Sequence, residues 1–396
     1  MTRAASTMSA TSTDAGALSL PPLSLYIHLP WCVRKCPYCD FNSHQRPQVL
    51  PEAAYVEALL GDLDHDLPAV YGRPLVSIFF GGGTPSLFSA ASISAILDGV
   101  RSRFRLRPGA EVTLETNPGT AEYDRFEGYL AAGVNRLSFG VQSFDDAMLK
   151  RLGRIHGGEE ARAAVRAART AGFDNLNLDL MYALPGQTPA MARADLDTAL
   201  ELAPEHLSYY HLTLEPNTVF AARPPAGLPD EELADDIEAA GQAQLAAAGF
   251  EHYEVSAFAR PDRRSVHNLN YWRYGDYLGI GAGAHGKWTD LAEGSIRRRV
   301  RQKVPRLYLE APHAAARISE ERRIPAEERP FEYMLNSLCL REGVAVGDFA
   351  ARTGLELSSL DGHAEALRRG LIEVEAGVLR PTELGRRFLN DLINLY

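Results

Sequence analysis

Hydrophobic residues along this chain alternate between short unbroken runs and longer stretches at helical spacing. Leu23–Leu29 (LSLYIHL) reads as a buried strand that stops at Pro30. Residues 51–67 place Tyr55, Leu59, Leu60, Leu63 and Leu67 on one helical face, with Asp and Glu on the other. Residues 75–80 (LVSIFF) are apolar on both faces, as a strand covered on both sides must be, and end at Gly81-Gly82-Gly83-Thr84-Pro85-Ser86. A helix follows through Leu97 to Val100. Further strands are expected at 111–115, 136–141, 175–180 and 206–214, with helices at 121–132, 159–171 and 189–202. Six strands alternating with helices imply parallel pairing with right-handed crossovers, hence a wound α/β sheet or an incomplete (β/α)6 barrel. A complete eightfold barrel would need two more units. In both architectures ligands bind at the C-terminal strand ends, and the unusual sequences of this chain fall there.

Beyond the sixth strand the pattern changes. A helix is expected at 230–247 and an antiparallel strand at 251–258, followed by irregular, aromatic-rich sequence to Gly286. Gly281-Ala282-Gly283-Ala284-His285-Gly286 matches G-x-G-x-x-G, but no apolar helix follows, so a dinucleotide site is not expected. Arg297, Arg298, Arg299, Arg301 and Lys303 form a basic run, read first as a solvated edge strand and alternatively as a clamp for carboxylates. Residues 326–396 predict helices at 331–340, 346–353 and 360–369. A hairpin turning at Ala376-Gly377 and a last helix capped by Thr382 complete a winged-helix-like α+β unit. This unit carries 8 Lys and Arg against 12 Asp and Glu, the wrong balance for a DNA reader, so a packing or lid role is expected. The expected division is a disordered tail at 1–22, a core at 23–325 and the winged-helix-like domain at 326–396.

The chemistry concentrates behind the first strand. Cys32, Cys36 and Cys39 are spaced C-x3-C-x2-C, and three soft thiolates that close can wrap one inorganic centre. By spacing alone the choice lies between an iron-sulfur cluster with one iron left open and a zinc site that recruits His44 as fourth ligand. Context favours the cluster, because zinc knuckles sit in small loop-rich units whereas this loop opens a long strand–helix series. The fourth cysteine, Cys339, falls among Leu335, Leu338 and Leu340 and is expected to be a buried small hydrophobe.

Composition narrows the picture. With 396 residues, 45% hydrophobic and 23% charged, the chain can bury a large core. No apolar stretch is long enough to span a membrane, and residues 1–16 lack the apolar segment of a secretory signal. Three clustered cysteines of four suggest a reducing, cytoplasmic setting. A net charge of −10 argues against a nucleic-acid partner.

The C-x3-C-x2-C spacing after a first strand, with Tyr38 before the last cysteine, resembles the signature of the radical S-adenosylmethionine (SAM) superfamily. The sequences YIHLPWCVRKCPYCDFNSH, FFGGGTPS, ETNPGT, GVQSF, LGRIH, NLDLMYALPGQT and HNLNYW, in that order, are similar to the oxygen-independent coproporphyrinogen III oxidase-like family, and within it to its heme-chaperone branch. The similarity runs from about Leu23 to the C-terminus. It implies an incomplete radical-SAM barrel, a [4Fe–4S] cluster on Cys32, Cys36 and Cys39, and SAM on the open iron. By the same resemblance Tyr26, Tyr38, Gly82, Gly83, Thr84, Glu115, Gln142, Arg154 and Asp179 would contact SAM. In His267-Asn268-Leu269-Asn270-Tyr271-Trp272 an imidazole is set among aromatics, which makes His267 a candidate heme ligand. The expected partners are heme, a heme-acceptor protein such as a membrane-bound respiratory enzyme, and an electron donor for the cluster. The alternative is the decarboxylating coproporphyrinogen oxidase itself. In that enzyme a further cysteine follows the cluster motif where this chain has Phe41, and an ordered N-terminal segment completes the site where this chain has an Ala/Ser/Thr tail.

Overall fold

The computed structural model describes residues 17–119 and 125–396. Of the tail expected at 1–22, residues 1–16 lie outside the described residues, as does the start of the helix expected at 121; residues 17–22 are not a loose tail, since Ser19 N–H donates to Ala351 O at 2.9 Å, Arg73 Nη2 donates to Pro21 O at 2.6 Å and Leu18 packs on the C-terminal core. Leu23–Leu29 buries every residue except half-buried Tyr26 and forms the centre of a twelve-stranded sheet. On one side follow, in order and all parallel, Leu75–Gly82, Leu106–Thr116, Arg136–Gln142, Leu176–Tyr182 and His206–His211. These are the six expected barrel strands. Helices Glu52–Asp66, Ala90–Arg101, Phe126–Ala132, Gly158–Thr170 and Pro189–Glu201 connect them and bury their apolar stripes on the outer face. The ring does not close, because each edge is taken by strands of opposite direction.

Several boundaries differ from expectation. The fifth strand starts at Leu176 and runs on to Tyr182, while the sixth stops at His211. The strand expected at 251–258 is two short ones, Glu251–His252 and Ala257–Ala259, which cover the edge beyond the sixth strand.

The aromatic-rich stretch is not irregular. Ser265 caps a short helix, Val266–Trp272, and Asp276–Ile280 then pairs parallel to the first strand, Leu23 level with Asp276. Gly281 and Gly283, at φ +98° and +84°, turn the chain so tightly that a Cβ would stand 2.3 Å from His28 O and 2.1 Å from Asn42 Nδ2 respectively. The G-x-G pattern therefore seats one loop against another.

The basic run is not a solvated edge. Ser295–Arg301 lies between His285–Asp290 and Ile318–Arg323, with Arg299 and Arg301 buried. Arg301 Nη2 donates to both carboxylate oxygens of Asp66 at 2.7 Å, and Arg299 also bonds Asp66. Arg298 holds Glu332 at 2.7 Å, and Arg297 holds Glu321 at 2.9 Å. These arginines do clamp carboxylates, but those of the chain itself.

The C-terminal unit contains helices Arg329–Ser337, Val346–Thr353 and Asp361–Arg368. Its hairpin, Ile372–Glu375 with Val378–Pro381, turns through left-handed Ala376 and Gly377 and is joined by Val344–Ala345. Thr382 caps the next short helix, as expected, but that helix breaks at Phe388 into two. The unit shares its core with the sheet extension: Tyr274, Ile296 and Ile324 pack with Tyr333, Met334 and Phe349. Cys339 is half-buried rather than buried; its Sγ reaches Leu335 O at 3.3 Å.

Candidate functional site

The cysteine loop leaves the first strand at Pro30 and locks onto the end of the second. Gly83 N–H donates to Leu29 O and Thr84 N–H to Trp31 O, both at 2.8 Å. This contact explains the glycines. A Cβ on Gly83 would stand 2.5 Å from Trp31 O, and one on Gly82, at φ +115°, 2.6 Å from the His28 ring. Arg34 Nη2 donates to Gly153 O at 2.8 Å and Phe220 N–H to Pro37 O at 3.0 Å, pinning the loop to the far wall of the barrel.

Cys32, Cys36 and Cys39 are unpaired and half-buried, and they line one cavity of about 120 Å³ together with Tyr38, Gly83 and Thr84. Burial pushes the Cys32 and Cys39 thiols up. Arg154 lines the same cavity and donates to Cys36 Sγ at 3.5 Å, to Asn117 Oδ1 at 2.5 Å and to Gly140 O at 2.6 Å. Asn117 in turn donates to Thr84 Oγ1 at 2.7 Å.

Among the described residues no three His, Cys, Asp or Glu side chains converge on a single-ion position. His44 is engaged with Asn42 Oδ1 at 3.2 Å. Three soft sulfurs lining one cavity are the donor set that an iron–sulfur cluster takes.

The small cavity shares Phe41, Gly82, Glu115, Ser138 and Asp179 with one of about 990 Å³ in the barrel interior. Its wall is polar by strand alternation. Glu115 is level with Ser138, Ser138 with Asn177, and Asp179 with Ser208, while the intervening residues face the helices. Asn177 Nδ2 donates to Asp179 Oδ1 at 2.7 Å and to Ser138 Oγ at 2.8 Å, and its Oδ1 meets His206 Nδ1 at 2.6 Å. Burial, with Asp179 near, holds the Glu115 carboxyl up to about 8, and burial likewise raises Asp179. Two carboxyls that resist ionisation face a cavity able to hold a cationic, hydrogen-bonding ligand.

The opposite wall is aromatic. Tyr26, Phe79, His267, Tyr271 and Tyr277 line it, with Phe79 stacked on His267 at 4.9 Å. Glu111 fixes this panel from below: its carboxylate accepts from Val266 N–H and His267 N–H at the start of their helix and pairs with Arg136 at 3.8 Å. His267 Nδ1 is bonded to Ser77 Oγ at 2.9 Å and its Nε2 to Tyr271 Oη at 3.1 Å, so neither ring nitrogen is free. Burial lowers its pKa to about 3, keeping the ring neutral.

Of the residues singled out from the sequence, Tyr38, Gly83, Thr84 and Arg154 gather at the cysteines, while Gly82, Glu115 and Asp179 stand where the cavities meet. Tyr26 and His267 line the larger cavity. Gln142 lines neither; it is buried at φ +71° with its Oε1 accepting from Tyr210 Oη at 2.7 Å. Sequence reasoning missed Asn117, Arg136, Ser138, Asn177 and His206. For the strand residues the signal was there: polar residues recur at every second position in 136–138, 177–179 and 206–208, the period of one strand face.

Comparison with known proteins agrees with this architecture. The Radical SAM superfamily matches residues 26–199, and the HemN C-terminal domain matches residues 324–388. The chain is 48% identical to heme chaperone HemW of Escherichia coli (strain K12), over 96% of this chain and 99% of that one. It is also 48% identical to heme chaperone HemW of Haemophilus influenzae, over 95% and 98%. The solved structure of coproporphyrinogen III oxidase HemN from Escherichia coli superposes with a TM-score of 0.79 at 26% identity, covering 95% of this chain and 90% of that one. Near-complete coverage at this identity, with the cysteine loop at the mouth of an incomplete barrel, places the chain in the HemW family of the radical SAM superfamily.

Proposed function

We infer that this protein is a heme chaperone: it binds heme and passes it to an acceptor protein while carrying a [4Fe–4S] cluster and SAM. The observation that carries the cofactor part is the joined pair of cavities, one ringed by three thiols and the other walled by carboxyls and aromatics. The cargo part is supported by the heme chaperones that match nearly the whole chain.

Cys32, Cys36 and Cys39 would hold the cluster, and Arg154 would keep a fixed positive charge beside Cys36. Glu115 and Asp179 would take hydrogen-bond donors or the ammonium of SAM, with Gly82, Gly83, Thr84, Tyr26 and Tyr38 shaping the seat and Gln142 supporting it through Tyr210. When bound, the cluster and SAM supply one-electron chemistry at an iron that lacks a protein ligand. An electron donor and a heme acceptor of the respiratory kind are the partners that this reading requires. Among the described residues no helix is long and apolar enough to cross a membrane. We place the protein in the cytoplasm because free thiols held for a cluster call for a reducing setting.

The HemN-like fold favours a second reading, oxidative decarboxylation of coproporphyrinogen III. Against it stands Phe41, 58% exposed, on the wall shared by both cavities and without a thiol to offer. Anaerobically reconstituted protein separates the two. Saturable hemin uptake, followed by transfer to an apo-acceptor with no divinyl product from coproporphyrinogen, SAM and reductant, is expected. Product formation without hemin uptake would replace the chaperone by the oxidase.

A further inference from the structure

The large cavity contains one charge that the fold does not use up. Arg136 opens the strand Arg136–Gln142, is 2% exposed, and lines the polar wall on the same strand face as Ser138. Three arginines among the described residues are buried. Arg299 and Arg301 donate hydrogen bonds to carboxylates of the chain. Arg136 makes no hydrogen bond among the described residues, and its Nε is shut off from solvent without a partner. Its ion-pair partner, Glu111, stands at 3.8 Å, beyond hydrogen-bond reach.

The surrounding groups do not make up the difference. Glu111 is shared, because its two oxygens already accept from Val266 N–H at 3.1 Å and His267 N–H at 3.0 Å. His206 and His267 line the same cavity with both ring nitrogens engaged, and burial holds both rings neutral. Asp179 accepts from Asn177 at 2.7 Å and from Ser138 at 3.4 Å, and no ion pair joins it to Arg136. A guanidinium removed from water without acceptors is costly to the fold. Its planar fork of N–H donors matches the two oxygens of a carboxylate.

An iron porphyrin is a flat apolar disc with two carboxylates at one edge. The aromatic wall of the cavity suits the disc, and Arg136 adjoins that wall through Glu111, which lies between the guanidinium and His267 N–H. We propose that Arg136 receives a carboxylate of the bound heme inside the barrel. The assignment rests on the heme-chaperone reading above and gives the cargo a direction. Arg136 stands at the start of its strand, so the carboxylate edge points away from the cysteine loop, which sits at the strand ends.

SAM also carries a carboxylate, and the test separates the two sources. Full-length, cluster-reconstituted protein is titrated with hemin and with hemin dimethyl ester, whose carboxylates are masked, and SAM uptake is measured alongside. The wild type should bind hemin about tenfold or more tighter than the diester. Arg136→Gln should weaken hemin binding by that same factor and leave diester binding, iron content and SAM uptake unchanged, and Arg136→Lys should restore part of the preference for hemin. Equal affinity of the wild type for hemin and diester overturns the assignment, and that arm needs no variant to fold. Equal losses for both in Arg136→Gln overturn it in favour of a structural role beside Glu111. Loss of SAM uptake with the preference for hemin kept assigns the arginine to SAM instead. No saturable hemin binding by the wild type would remove the chaperone reading, and this assignment with it.

Discussion

Charge is handled in opposite ways at two places in this molecule. At the seam between helix Glu52–Asp66 and strand Ser295–Arg301, Asp62, Asp66, Arg299 and Arg301 are buried and neutralise one another, with Tyr308 Oη donating to Asp62 at 2.6 Å. At the cysteine loop, Arg34, Arg46 and Arg154 have no carboxylate partner among the described residues, and Glu115 and Asp179 face a cavity in which burial raises both. A closed network serves the fold, because opposite charges within the chain offset part of each ion's desolvation, although burial still raises Asp62. An open set leaves its charge for something that is not part of the chain.

The comparison breaks most sharply at the cysteines. Replacing Cys32, Cys36 and Cys39 together by Ala should abolish bound iron, brown colour and SAM uptake in anaerobic reconstitution while circular dichroism is kept; retained iron would refute the cluster assignment. Next in size is the seam. Arg301→Met leaves Asp62 and Asp66 buried without their main partner and should cost about 3–5 kcal/mol in urea unfolding. A change under about 1 kcal/mol would show that Arg299 and Arg317 carry the network alone.

Glu115→Gln probes the open side. With its carboxyl up from 4.5 to about 8, the folded chain holds one proton more than the unfolded chain across that window. Stability should therefore be full below the unfolded pKa and fall as pH rises toward 8, by up to about 1.4 kcal/mol per pH unit. The Gln variant should flatten this slope between about pH 5.5 and about pH 7.5. An unchanged slope would assign it to other groups. Smallest is the surface ion pair of Glu342 with Arg264 and Arg273, at 2.6 and 3.0 Å but half-exposed. Glu342→Gln should cost under about 1 kcal/mol, measured in the same way.

The aromatic and basic stretches show where sequence reading ran out. Arg299 and Arg301 look solvated in the sequence because Asp62 and Asp66, with which they pair once buried, stand more than two hundred positions earlier. Asp276–Ile280 was not read as a strand, since its parallel partner is Leu23–Leu29 at the other end of the core. The triple-glycine turn was attributed to a ligand, whereas Gly82 and Gly83 are first required by His28 and Trp31. Gln142, assigned by resemblance, and His267, read from its aromatic setting, illustrate the same limit: Tyr210 engages Gln142 Oε1, and Ser77 and Tyr271 engage both ring nitrogens of His267.

By itself the sequence determined the six alternating strand and helix units, the loop that carries the three thiols and the winged unit behind them. Those follow from local spacing of apolar residues, turn residues and soft donors. Which polar groups are consumed by the fold and which are left facing a cavity, as Glu115 is, was decided only in three dimensions, because a hydrogen bond or ion pair depends on a partner that chain distance does not reveal.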